Sequence, residues 1–444
     1  MKLLPQTYLD RMKTLLGSEY DAFLACYQEP HYRGIRLNTL KCDEKTLKAA
    51  LPFPINPAPF SPLSYYIGLD ASKIGSLPMH HAGAFYSQEP SAACAVTALD
   101  PKPGEIVLDL CAAPGGKSTQ IASLLQGQGL LWSNEVIRSR ANILLSNIER
   151  MGVSNAVVST CHPQVLCEAL SGYFDKVLVD APCSGEGMFR RDEQAVLDWS
   201  PEHVTACATR QLAILQSAAI ALKENGILVY STCTFSSEEN EGVVSDFLAQ
   251  HSDFALVDCN LTFGRPAFLP KVRRIFPMDG GEGHFVAVMR RNSPNNAYPA
   301  PHIPLKTAMQ NMAEDLYNQL FPKKLNNIIE QIGNYFLLLP TELPYLKGLN
   351  VIRAGVMLGE AKTNRIEPAH AVFMAAKAPE INTVVDIPHD SKEILDYLRG
   401  EEIEVAVGLR GFTGVAVDGV VTGFGKCSGG RLKNRYPKGL RNNL

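Results

Sequence analysis

Between residues 105 and 232 the chain switches repeatedly between short strand-like runs and longer helical ones, and this alternation constrains the fold more than any other feature. "EIVLDL" (105–110), "LLWSNE" (130–135), "AVVST" (156–160), "DKVLVDA" (175–181) and "GILVYST" (226–232) are the strand-like runs. Strands separated by helix-length segments are expected to pair parallel, because a parallel connection needs a crossover of a dozen or more residues. Between the second and third runs, Ala141, Leu144, Leu145, Ile148 and Met151 recur at helical spacing and predict a helix covering a sheet face. After the fifth run come a further helix and then "KVRRIF" (271–276) and "HFVAVMRR" (284–291), joined through the glycine-rich "PMDGGEG". This is a hairpin signal, so the sheet is expected to finish with an antiparallel pair, an ending unusual for a plain dinucleotide fold.

The rest of the chain divides around this unit. With 444 residues it is too long for one core, and 46% hydrophobic residues suffice for several. A small N-terminal α+β module is expected over 1–75, with "RGIRLNTLK" (33–41) and the proline-dense "LPFPINPAPFSP" (51–62). The α/β unit spans 76–292, a linker 293–315, and a C-terminal region of helix and short strands 316–444. No run of 18 apolar residues appears, and charges interrupt the N-terminal stretch where a signal peptide needs its apolar region, so a cytoplasmic protein without a membrane partner is expected. The 11 cysteines contain no CxxC pair, which argues against a disulfide framework and a structural zinc site; no metal is expected. The net charge of −3 hides an asymmetry: Lys426, Arg431, Lys433, Arg435, Lys438 and Arg441 crowd the last residues with no acidic one among them. A polyanion is the expected partner.

The loop after the first run, "CAAPGGKS" (111–118), departs from the phosphate-cradling pattern G-x-x-x-x-G-K-[ST] at one position, where a cysteine replaces the first glycine. It follows a strand and precedes the helical "STQIASLL", so its amides and the helix N-terminus face the carboxyl edge of the sheet, where ligands of α/β folds bind. A triphosphatase needs a strand-ending aspartate for magnesium. A nucleoside-binding fold needs a carboxylate about 20 residues on, ending the next strand, for the ribose hydroxyls. Glu135, ending "LLWSNE", stands in that second place, and the loop reads as a nucleoside site. "DAPCSGEG" (180–187) and "STCT" (231–234) then place Cys183 and Cys233 at the same edge, after the fourth and fifth runs. Paired cysteines speak against a triphosphatase, and Ala181 and Cys183 break the D/N-P-P-[YF] motif of enzymes that methylate the adenine amino group.

Together "LDLCAAPGGKSTQIA", "FDKVLVDAPCSGEGMFRRD" and "LVYSTCTFSSEENE" resemble the RNA cytosine-5 methyltransferase family, the Sun and nucleolar-protein group, and most closely its bacterial ribosomal small-subunit methyltransferase F branch. "QEPSA" (88–92), "WSPE" (199–202) and "DGGEGHF" (279–285) agree, and "GFGK" (423–426) and "YPKGLR" (436–441) resemble that branch's PUA-like RNA-binding region. The resemblance implies a Rossmann-like, S-adenosylmethionine-dependent methyltransferase sheet between the N-terminal module and a C-terminal PUA-like region. It implies S-adenosylmethionine as cofactor, lined by Cys111, Ala112, Ala113, Pro114, Gly115, Gly116, Lys117 and Glu135, with Asp180 hydrogen-bonding the cofactor or the base edge. The implied partner is ribosomal RNA, 16S in particular, or the small ribosomal subunit, acted on by a monomer. Transfer RNA as substrate and a non-catalytic RNA-binding module are the other readings.

C5 of cytosine is a poor nucleophile, so a thiolate must first add at C6 to make C5 enamine-like, and must later be eliminated. By resemblance Cys233 is the nucleophile and Cys183 assists product release. The reverse assignment stays open, because the nucleophile of DNA cytosine-5 methyltransferases follows a proline, as Cys183 follows Pro182. One position departs from the family: His162, in "TCHPQ", stands where an aspartate usually meets the adenine amino group. Arg36 and Asn38 match the family's N-terminal arginine–asparagine motif and are expected at the RNA. Lys426, Lys433, Arg435 and Lys438, interleaved with Phe424 and Tyr436, fit phosphate contact plus base stacking. Glu367 and His370, in "LGEAKTNRIEPAHA", receive no role.

Overall fold

The computed structural model describes residues 4–295, 297–305 and 307–441. Its centre is a nine-stranded sheet of β1 (Ile106–Asp109), β2 (Leu130–Asn134), β3 (Ala156–Ser159), β4 (Phe174–Asp180), β5 (Leu222–Thr232), β6 (Phe254–Val257), β7 (Arg273–Ile275), β8 (His284–Arg291) and β9 (Val351–Ala354). The path runs β6-β8-β5-β4-β1-β2-β3-β9, with β7 also paired to β8. β1 to β5 are parallel, as the alternating runs predict; β6, β7, β8 and β9 pair antiparallel. The alternation of side chains explains why both faces are covered. Leu108, Trp132, Val157, Val177 and Tyr230 sink into one core, Val107, Leu131, Val158, Leu178 and Val229 into the other. Helix Arg138–Arg150 buries Ala141, Leu144 and Ile148, the face its spacing predicts.

The expected hairpin is real but larger: β8 pairs with β7, with β5 and with β6, a strand the sequence pattern does not announce. Nor does it announce β9, which comes from the C-terminal region and closes the far edge against β3. The chain order reverses between β1 and β4, which leaves a crevice at their carboxyl ends.

The N-terminal helices Gln6–Leu16 and Tyr20–Cys26 pack Tyr8, Met12 and Phe23 against Phe189, Trp199, Phe235 and Phe276 of the α/β unit. A four-stranded antiparallel sheet follows, whose fourth strand, Phe85–Ser87, lies past residue 75. At the other end, helix Gln310–Leu320 begins inside the stretch expected as linker, of which Asn296 and Lys306 lie outside the described residues. A four-stranded sheet (328–368) and a five-stranded one (384–434) complete the C-terminal region. Among the described residues no helix is long and apolar enough to cross a membrane.

Candidate active site

β1 ends at Asp109 and the chain turns through residues 110–115 into helix Gly116–Leu125. Gly115 caps that helix with φ 111, a backbone conformation that favours glycine, and a Cβ there would stand 3.2 Å from Leu144 Cδ1. Parallel pairing then aligns the two cysteine loops: Asp180 of β4 stands opposite Ser231 of β5, and the thiols just beyond come together with their Sγ atoms 3.3 Å apart.

Two buried carboxylates hold these loops. Glu239 accepts hydrogen bonds from Ser184 N (2.9 Å), Ser184 Oγ and Gln211 Nε2 (2.8 Å). Glu186 accepts from Trp199 Nε1 (2.9 Å) and Phe235 N (2.9 Å), and Gly187 N donates to Cys233 O (2.8 Å). Both glutamates sit within the quoted cysteine motifs.

A cavity of about 1030 Å³ opens at the crevice, lined by Leu110, Cys111, Ala113, Glu135, His162 and Asp180 and reaching Cys183 and Cys233. A second, of about 370 Å³, lies toward the N-terminal module; Ala112, Pro114, Gly116, Lys117 and Arg191 line it, and it shares Cys111, Ala113 and Asp180 with the first. Among the loop residues expected to line a cofactor, Gly115 alone faces neither cavity. Glu135 is buried at the end of β2, its Oε1 accepting from Ile137 N (3.0 Å). His162 precedes helix Pro163–Ala169 and lines the first cavity.

The electrostatics favour a reactive sulfur. Lys117 Nζ meets Asp180 Oδ2 at 2.7 Å, and Ser231 Oγ donates to Oδ1 at 2.7 Å. Burial opposes the Asp180 charge, but Lys117, with His284 and the Ser231 hydroxyl, outweighs it and holds the carboxyl below its usual range. The hydrogen bond shared with Cys183, with Lys117 and Arg191 nearby, draws the Cys233 thiol down despite burial. Cys183 is pushed up by the same hydrogen bond with Cys233 and by burial, with Glu239 adding to both. The two shifts run in opposite directions, which favours the thiolate form at Cys233 over Cys183.

The residues expected at the RNA divide. Arg36 is 1% exposed and Asn38 0%; neither offers surface to a polyanion. Asn38 spends its amide on Gly83 O and Met151 O, both at 2.8 Å, and Arg36 turns inward to the loop after β1, at Gly116 O. Phe424 and Tyr436 are buried too: Phe424 stacks on Phe373 at 4.4 Å, and Tyr436 Oη meets His81 Nδ1 at 2.7 Å, so neither is available to stack on a base. Lys426, Lys433, Arg435 and Lys438 are exposed. Lys426 and Lys433 face each other across a strand pair, an arrangement of like charges that costs stability unless an anion offsets it. Glu367 pairs with Arg365 and Arg435, and His370 is half-buried against Tyr436.

Comparison with known proteins gives this arrangement a family. Residues 96–290 match the 16S rRNA methyltransferase RsmB/F model, 4–90 the N-terminal domain of 16S rRNA methyltransferase RsmF, 313–375 the RsmF first C-terminal domain and 384–442 the methyltransferase RsmF PUA domain. The ribosomal RNA small subunit methyltransferase F of Vibrio vulnificus is 35% identical, covering 98% of this chain and 97% of its own. The chain belongs to the ribosomal RNA small subunit methyltransferase F family. The same-named protein of Shigella boydii is 33% identical over 98% of the chain and 96% of its own. Among solved structures, a methyltransferase homolog protein from Pyrococcus horikoshii superposes with a TM-score of 0.58 at 30% identity, covering 65% of this chain and 95% of that one. NSun6 from the same organism, solved with SFG, shares the fold at TM-score 0.59 and 24% identity, covering 66% and 99%.

Membership makes this an S-adenosylmethionine-dependent methyltransferase, and the residues present fit that cofactor. The Glu135 carboxylate suits ribose hydroxyls, the first-turn amides of helix Gly116–Leu125 suit a carboxylate, and Leu110, Val136, Ile137 and Pro182 give apolar walls for a base.

Proposed function

We propose that this chain methylates C5 of cytosine in small-subunit ribosomal RNA through a covalent bond between Cys233 and C6. The observation that carries the reading is the thiol pair, 3.3 Å apart at the ends of neighbouring parallel strands and open to the cavity that Glu135 lines. As thiolate, Cys233 adds to C6; the S–C6 bond forms, the C5–C6 double bond opens and its electron pair moves to C5. When bound, S-adenosylmethionine would supply the methyl group: the C5 electron pair would form the C5–CH3 bond as the CH3–S bond breaks, its pair staying on the sulfur, which leaves as the neutral thioether of S-adenosylhomocysteine. C5 then gives up its proton to a base, its electron pair restores the double bond, and the S–C6 bond breaks with its pair returning to Cys233. Cys183, the neutral partner, donates its S–H to the departing thiolate and so speeds elimination. Asp180 and Lys117, paired beside the thiols, offer an acceptor and a donor to the base edge.

The substrate reading rests on the relatives named for small-subunit ribosomal RNA and on the exposed basic residues of the PUA match. A protein with this substrate works in the cytoplasm. Bisulfite sequencing of ribosomal RNA from cells with and without the gene tests the proposal: at least one 16S cytosine must lose its protection when the gene is deleted. A pattern identical in both strains rejects it.

A further inference from the structure

Arg36 is buried as a cation with no acid to meet it. Among the described residues no carboxylate pairs with it; its electrostatic neighbours are the Tyr86 ring, 5.4 Å from the guanidinium, and Arg150. The Arg150 guanidinium lies 5.7 Å from the same ring and has no carboxylate partner among the described residues either. Burying charge this way is costly, so the geometry it maintains needs a reason.

That geometry converges on one feature. Arg36 Nη1 donates to Gly116 O at 2.6 Å and to Gln88 Oε1, and Nη2 donates to Thr119 Oγ1 at 2.6 Å. Thr119 Oγ1 in turn donates to Gly115 O at 2.8 Å. The preceding carbonyls are tied as well: Arg140 Nη2 reaches Ala113 O at 3.1 Å, and Asn147 Nδ2 reaches Pro114 O at 2.8 Å. Arg150 holds that asparagine from behind, its Nη2 on Asn147 Oδ1 at 3.1 Å. Every carbonyl from Ala113 to Gly116 is therefore drawn onto a side chain. The first-turn amides of the helix, which have no intrahelical acceptor, remain for a ligand.

We infer that Arg36 is a positioning residue for the cofactor: the N-terminal module reaches through it into the methyltransferase domain, fixes the Gly115–Gly116 carbonyls and adds positive charge behind the amides that take the cofactor's carboxylate end. An RNA-facing motif is thereby reassigned to the cofactor. The interaction is selective, because it acts on the amino-acid end of S-adenosylmethionine and leaves the adenosine end to Glu135.

The test compares two ligands on the full-length protein by titration calorimetry: S-adenosylmethionine, and 5′-methylthioadenosine, which has the nucleoside and sulfur but no amino-acid part. Arg36→Met should weaken S-adenosylmethionine at least tenfold and 5′-methylthioadenosine less than threefold. Asn147→Ala, which frees the Pro114 carbonyl, should shift the ratio in the same sense by a smaller factor. Arg36→Lys keeps the charge but loses the fork, and gives the same ratio test if the methionine variant does not fold. Equal losses for both ligands would make Arg36 a general structural residue, and no loss for either would dismiss the clamp; each result overturns the inference.

Discussion

Replacing Asp109 by Asn should make the methyltransferase domain less sensitive to rising pH. The carboxyl lies fully buried at the end of β1, before the 110–115 loop; Ser118 Oγ donates to Oδ2 at 2.7 Å and Oδ1 has no partner among the described residues. Burial pushes its pKa up from 3.8 to about 7. A folded-state pKa above the unfolded one means that the folded chain holds the proton more tightly. The associated stability is complete below the unfolded value and drains away as pH rises through the folded value. Each pH unit between the two costs about 1.4 kcal/mol, so the wild type should lose about 2 kcal/mol through this residue between pH 5.5 and 8.5. The carboxamide of the Asp109→Asn variant cannot ionise and loses nothing there. The assay is urea unfolding at the two pH values, followed by tryptophan fluorescence. Both tryptophans, Trp132 and Trp199, are buried in the α/β unit, and Trp132 stands opposite Leu108 in the neighbouring strand. A wild-type-minus-variant difference that stays constant across this range would refute the argument, since the carboxyl would then carry the same charge throughout.

Other expectations follow from the same geometry. Glu135→Ala should weaken S-adenosylmethionine binding by roughly 1–3 kcal/mol, the range of a charged hydrogen bond; unchanged calorimetric affinity would remove Glu135 from the site. Glu239→Ala strands three donors around Ser184 and Gln211, and should destabilise the domain by at least about 3 kcal/mol at roughly 1 kcal/mol per donor, read by urea unfolding. Neutralising Lys433 and Arg435 should reduce the salt slope of RNA binding by roughly 0.7 per lost contact, with little change in rate at saturating RNA; an unaltered slope would take these residues off the RNA.

The parallel core was legible because each of its strands is a short apolar run separated by helix-length sequence. β6 and β9 were not: "FALV" and "VIRA" are four-residue edge strands that owe their conformation to a distant partner, β9 to one nearly 200 positions away. The cysteine pair could be read because both motifs end strands at one sheet edge. Arg36 and Asn38 misled, since a polar side chain defaults to solvent and nothing local reveals the carbonyls of Gly116 and Met151 waiting in the interior. Phe424 and Tyr436 misled for the converse reason: beside lysines they suggest base stacking, yet their partners, Phe373 and His81, belong to elements far away in sequence. Glu186 and Glu239 were in view but unvalued, because a buried carboxylate is recognised by its donors.

The account turns on which sulfur attacks. Wild type, Cys183→Ala, Cys233→Ala and the double variant should each be incubated with S-adenosylmethionine and small-subunit ribosomal RNA, then run on a denaturing gel. Cys183→Ala should still attack and methylate, then stall as a protein–RNA adduct that nuclease removes, while Cys233→Ala and the double variant should show none. A stable adduct in Cys233→Ala and none in Cys183→Ala would reverse the assignment, and wild-type turnover in both single variants would contradict cysteine catalysis altogether.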